Sequence, residues 1–157
     1  MTTSDAPFEI PATVLNEYRY SYGGVSRFFR ALKEDQQILG TRCDCGEVRC
    51  PPRLYCPKCK SQTEWVELAG TGRVVSAIDC YYVPANYELH DYLDLPYTLA
   101  LIALDGTDTA IYNTVFTGSQ QLHQVQPGDR VRAVFREKRE GRLTDFYFVP
   151  DPVGERG

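Results

Sequence analysis

From Trp65 onward the apolar positions of this chain fall in short runs separated by turn residues. Trp65-Val66-Glu67-Leu68 comes first. Gly70-Thr71-Gly72 then opens a β-branched run from Arg73 to Cys80. Tyr97 to Leu104 is almost continuously apolar and closes on Asp105-Gly106, and Thr109 to Phe116 follows it. Pro127-Gly128-Asp129 precedes Val131 to Phe135, and the last run is Leu143 to Val149. Short β-branched and aromatic runs bounded by Gly, Pro and Asp read as strands, and the two around Asp105-Gly106 read as a hairpin. A meander of about five such strands predicts a small closed or partly closed barrel, with an OB-fold the leading candidate and a small β-sandwich the second.

Upstream the period changes. Val25, Phe28, Phe29, Leu32 and Leu39 fall near one face of a helix over 25–39, with Arg27, Arg30, Lys33, Glu34 and Gln37 elsewhere and Gly40 as a stop. Residues 1–24 read as extended or irregular, with Pro7 and Pro11 breaking any helix. There Tyr18, Tyr20 and Tyr22 alternate along what is either a surface-lying segment or a partner-binding arm. Residues 81–96 hold Tyr81, Tyr82, Tyr87 and Tyr92 with Glu88, Asp91 and Asp94. A loop that long inside a compact domain is usually functional or disordered, and its aromatic content argues against disorder. It reads as a recognition loop or as local packing.

Between the helix and the first strand, residues 41–62 offer little apolar content beyond Val48, Leu54 and Tyr55. This stretch cannot build a core alone, and a metal must supply folding energy. Five of the six cysteines lie from Cys43 to Cys59, and only Cys80 stands apart, as a strand cysteine. Cys56-Pro57-Lys58-Cys59 is a knuckle whose turn lets backbone N–H groups face the sulfurs, and two knuckles give tetrahedral sulfur coordination. That geometry suits zinc or iron, zinc being preferred for a structural site. The first half is tighter, because Cys43 and Cys45 are separated by one residue. The expected ligands are Cys43, Cys45, Cys56 and Cys59, with Cys50 a rival for Cys43 or Cys45. A closed four-sulfur site leaves no open position and is not catalytic.

Charge and composition narrow the classes. The net charge of -4 argues against a field that gathers nucleic acid. No apolar run reaches the ~20 residues a membrane helix needs, and the N-terminus lacks a secretory pattern, so a cytoplasmic protein is expected. His90 and His123 sit in no nucleophile motif, and Gly70-x-Gly72 meets Val75 where a dinucleotide fingerprint needs its third glycine. No catalytic residue is expected in this chain.

Taken together, several segments resemble one family. They are Phe28-Phe29-Arg30-Ala31-Leu32, Gly40-Thr41-Arg42-Cys43, Cys45-Gly46, Pro51-Pro52-Arg53, Cys56-Pro57-Lys58-Cys59, Trp65, and Gly70-Thr71-Gly72-Arg73-Val74. Pro96-Tyr97-Thr98-Leu99-Ala100 and Pro127-Gly128-Asp129-Arg130-Val131 match as well. The family comprises small proteins with a rubredoxin-like zinc ribbon followed by an OB-fold, which accompany thiolase-superfamily enzymes. The shortened first knuckle departs from its usual C-x-x-C-G. The resemblance implies a mainly β chain: arm and helix in 1–40, zinc ribbon in 41–64, barrel in 65–150 and a tail in 151–157. It implies a non-catalytic subunit of a hetero-oligomer whose larger partner cleaves or condenses acyl-CoA, with the barrel helping to hold the coenzyme A thioester. Arg136, Lys138 and Arg139, with Arg142 nearby, would suit its phosphates, although Glu137 and Glu140 interleave as in a solvated hairpin tip. Two other classes stay open: a single-stranded nucleic-acid module, which zinc ribbons and OB-folds both support, and a rubredoxin-like electron carrier.

Overall fold

The computed structural model describes residues 10–13, 19–84, 89–90, 92–118 and 123–151. Pro7, Tyr18, Tyr87, Glu88, Asp91 and the tail beyond Asp151 lie outside these described residues.

The first element is helical but shorter than the periodicity predicts. A 3-10 turn at Gly23–Val25 leads into α1, Ser26–Arg30, which loosens into a π turn at Ala31–Asp35. Phe28, Ala31 and Leu32 turn inward and are buried. Gln36 enters the left-handed region at φ 55°, and the N–H of Gln37 caps the turn by donating to the Ala31 carbonyl at 3.1 Å. Ile38 and Leu39, expected at the helix end, instead start strand β1, Ile38–Arg42. Gly40 is thus a strand glycine. A Cβ there would lie 2.9 Å from the Arg49 carbonyl, so the glycine allows the neighbouring strand its close approach.

β1 is the centre of a three-stranded antiparallel sheet, flanked by β2 (Val48–Arg49) and β3 (Glu64–Leu68). Thr41 faces Arg49 on one side and Trp65 on the other. The run Trp65–Leu68 therefore belongs to the ribbon's sheet, not to the barrel.

Five further strands close into a barrel: β4 (Thr71–Cys80), β5 (Tyr97–Leu104), β6 (Ala110–Val115), β7 (Arg130–Phe135) and β8 (Phe146–Pro150). Their order is β4-β5-β6-β8-β7, with β7 returning to β4 and β6 meeting β8 in parallel. A five-stranded barrel of this kind is the OB-fold. Burial alternates along β5 as the barrel requires: Ala100, Ile102 and Leu104 point inward, where Ile111, Val131, Phe146 and Phe148 meet them. The weak seam is β6–β8, which share the single register pair Val115 and Phe148. Asn113 closes it, donating its amide to the Leu143 and Phe146 carbonyls at 3.1 Å each. Phe28, Leu32, Ile38, Leu39 and Cys50 pack into the same core as the barrel strands, so helix, ribbon and barrel form one unit.

Candidate metal centre and ligand face

The four sulfurs of Cys43, Cys45, Cys56 and Cys59 lie within 4.8 Å of one another. The Cys43 and Cys59 sulfurs lie 3.2 Å apart, and those of Cys45 and Cys56 3.7 Å apart. Zinc–sulfur bonds of about 2.3 Å in a tetrahedron put sulfurs about 3.8 Å apart, so this cluster fits a zinc ion. Cys50 is not part of it. It is buried at 1% exposure in the apolar core, and burial pushes its thiol up to about 12.

Why the tight C-x-C works is visible in the backbone. In the second knuckle the Lys60 N–H donates to the Cys56 carbonyl and the Cys56 N–H to the Ser61 carbonyl, both at 2.9 Å, with Lys60 at φ 64°. In the first, the Gly46 N–H donates to the Cys43 carbonyl and the Cys43 N–H to the Glu47 carbonyl, again at 2.9 Å, with Gly46 at φ 90°. The frame is the same with one residue removed, and a glycine takes the left-handed position. Backbone amides point at the sulfurs as the knuckle requires. The N–H groups of Cys59 and Lys58 favour the Cys56 thiolate, and the Ser61 hydroxyl and N–H bring the Cys59 thiol down to about 6.

Glu47 ties the two knuckles together. Its side chain is 4% exposed and is ion-paired to Arg49 and to Lys58, the residue before Cys59. Sequence reasoning missed it. Its signal is an acid directly after the first knuckle, matched by a lysine inside the second.

In the barrel, the loops after β4 and β7 face each other. Such loops are where OB barrels receive ligands. Between them lies a pocket of about 260 Å³, lined by residues including Leu89, Tyr92, Arg136, Lys138 and Thr144. Of the residues expected to meet phosphate, Arg136 and Lys138 line this pocket, and Lys138 pairs with Glu140 at 3.2 Å. Arg139 is engaged elsewhere. Its guanidinium donates to the carbonyls of Lys33, Arg136 and Glu137, tying the loop to the helical turn. Three rings surround Arg136, with Tyr147, Tyr92 and Phe116 centroids 4.9, 5.1 and 5.7 Å from its guanidinium carbon.

His123 contacts Asp79 through Nδ1 at 3.0 Å. The same carboxylate accepts the His123 N–H at 2.9 Å and the Thr98 hydroxyl at 3.1 Å. This carboxylate is committed to holding the turn before β7 against β4. Cys80 is a free, half-buried cysteine at the end of β4.

The outer face of the barrel is unusually apolar. Ile78 on β4 stands opposite Leu99 on β5, and Leu101 stands opposite Tyr112 on β6. Ile78 and Tyr112 are 61% and 64% exposed. Exposed apolar groups gathered on one face mark interaction surfaces. Tyr81 and Tyr82 continue it into the loop and are also exposed.

Comparison with known proteins agrees with this architecture. Residues 30–65 match the family described as the ChsH2 rubredoxin-like zinc ribbon domain, and residues 65–136 the ChsH2 C-terminal OB-fold domain. A DUF35 domain-containing scaffold protein of Methanocaldococcus jannaschii is 33% identical over 124 residues, covering 74% of this chain and 79% of that protein. A scaffold protein of the same description from Pyrococcus furiosus is 27% identical over 130 residues, covering 82% and 93%. A probable enoyl-CoA hydratase alpha subunit of Thermomonospora curvata is 33% identical over 90 residues, 56% of this chain and 26% of that protein. Among solved structures, a chain of the Ltp2-ChsH2(DUF35) aldolase superposes with a TM-score of 0.65 at 27% identity, covering 85% of this chain and 98% of that one. Ribbon, barrel and relatives all lead to one assignment: the chain belongs to the DUF35 family of zinc-ribbon and OB-fold proteins.

Proposed function

We propose that this chain is a zinc-stabilised, non-catalytic subunit of a thiolase-superfamily complex that cleaves or condenses acyl-CoA. The observation that carries the reading is the end-to-end likeness to the chain of the Ltp2-ChsH2(DUF35) aldolase, ribbon and barrel together. The local chemistry agrees: the clustered cysteines are closed around one another, and the His123–Asp79 pair is spent on structure. Zinc contributes folding energy to the ribbon. The catalytic groups belong to the larger partner, and the coenzyme A thioester is held where the two subunits meet. The outer face carrying Ile78, Leu99, Leu101 and Tyr112 is the docking surface for that partner.

Within this class, the length of the chain and its aromatic N-terminal segment resemble the small subunit of the benzoylsuccinyl-CoA thiolase of anaerobic toluene breakdown, and we assign it there. Reconstitution tests the assignment. The chain and a thiolase-superfamily protein that co-purifies with it should together consume 2-benzoylsuccinyl-CoA with free coenzyme A, and the chain alone should not. Turnover by the isolated chain would overturn the reading.

A further inference from the structure

Arg136 begins the connection from β7 to β8, and its hydrogen bonding is unfinished. Its backbone N–H donates to the Asp145 carbonyl at 2.8 Å and its Nε to the Thr144 carbonyl at 3.0 Å. Its Nη2 is buried and finds no acceptor among the described residues. Among the described residues, the two carboxylates that line its pocket, Asp145 and Glu140, are already engaged. Asp145 accepts the N–H groups of Glu140, Gly141 and Arg142 at 2.9, 2.7 and 3.2 Å, forming the cap of the short turn Leu143–Asp145. Glu140 pairs with Lys138 and, at 3.5 Å, with Arg142.

A buried donor without an acceptor has lost its hydrogen bond to water and gained none in return, a penalty that is larger when the group is charged. Native structures rarely keep one without a reason. Tyr147, Tyr92 and Phe116 hold the guanidinium in place without offering it an oxygen, since ring faces attract cations but leave the N–H groups free. The pocket that Arg136 lines opens between the two loops at which an OB barrel takes ligands.

We propose that this pocket is an oxyanion site, in which Arg136 binds one oxygen of a carboxylate or phosphate carried by a small-molecule ligand. Lys138 sits at the rim as the second cation. Arg139, bound to backbone carbonyls, shapes the loop and does not touch the ligand. The proposal rests on the acyl-CoA reading only for the source of the anion: a coenzyme A phosphate or a carboxylate on the acyl group.

The test is calorimetric titration of the full zinc-loaded chain with coenzyme A, succinate and pantetheine, the last carrying neither phosphate nor carboxylate. Coenzyme A, succinate or both should bind, and pantetheine should not. Arg136→Gln should weaken binding at least tenfold, and Arg136→Lys should restore part of it. Lys138→Gln, outside the ring cage, serves as a second variant and should weaken binding less. One zinc per chain and a cooperative unfolding transition establish that Arg136→Gln is folded before its binding is compared with that of the parent. Succinate binding without coenzyme A binding would keep the oxyanion site and remove the coenzyme A source. Coenzyme A binding that depends on Arg136 would support both. Binding of none of the three probes, or equal binding by Arg136→Gln, would overturn the site while leaving the partner reading intact.

Discussion

Lys58, inside the second knuckle, is ion-paired to Glu47, which follows the first knuckle and is 4% exposed at its side chain. The pair spans the metal site from outside the ligand set. Groups just beyond the ligands commonly change metal affinity by roughly 10–100-fold when removed. Glu47→Gln should therefore loosen zinc within that range while leaving one ion per chain. Competition with a chromophoric chelator measures it, and unchanged affinity would remove Glu47 from the account of the site.

The ligand set has its own test. Cys45→Ser should abolish stoichiometric zinc, whereas Cys50→Ala should retain one zinc and cost about 1 kcal/mol of stability through lost core packing. Elemental analysis of both purified variants decides between Cys45 and Cys50. Chelation of the parent should lower its unfolding temperature, since metal binding and folding of such a ribbon are coupled.

Acid should weaken the barrel at one identifiable place. Arg130 donates two bonds to Asp105, at 2.7 and 2.6 Å, and Thr71 adds another, which together hold the Asp105 carboxyl at about 2. Its pKa is lower folded than unfolded, so the stabilisation is present above about 4 and is lost as pH falls toward 2. The carboxylate is 42% exposed, so solvent screening limits the effect to about 1 kcal/mol or less. Urea midpoints between pH 5 and 2 should fall less steeply for Asp105→Asn than for the parent.

Beside the Phe116 N–H to Phe148 carbonyl bond at 2.8 Å, the barrel seam is held by the Asn113 amide. Asn113→Ala removes both side-chain bonds to the Leu143 and Phe146 carbonyls and should cost roughly 1–3 kcal/mol. Hydrogen exchange should accelerate first in β8. Uniform acceleration across the barrel would show that the seam is not the local weak point.

Much of this was legible in the sequence, and for definite reasons. The barrel strands are legible because short apolar and β-branched runs are bounded by turn residues, as Tyr97–Leu104 is by Asp105-Gly106. The knuckles were legible because four clustered thiols have few other uses in a chain with so little local apolar content. The helix end was misread because Ile38 and Leu39 continue a 3.6-residue pattern while serving a strand buried on both faces. Trp65–Leu68 was grouped with the barrel because a strand's sequence does not name its partner. Glu47 and the rings around Arg136 were invisible for a related reason: Tyr92, Phe116, Arg136 and Tyr147 meet only after the barrel closes.

The central claim is that this chain works as the accessory half of a thiolase-superfamily complex, docked through the face that carries Ile78 and Tyr112. The most direct test is to purify the tagged full chain from its native host, beside an Ile78→Glu/Tyr112→Glu variant, and identify stoichiometric companions by mass spectrometry. The account predicts a thiolase-superfamily enzyme with the parent, its loss from a variant that still folds and holds zinc, and no acyl-CoA cleavage by the separated chain. A parent chain that purifies alone, or that cleaves acyl-CoA by itself, would contradict it.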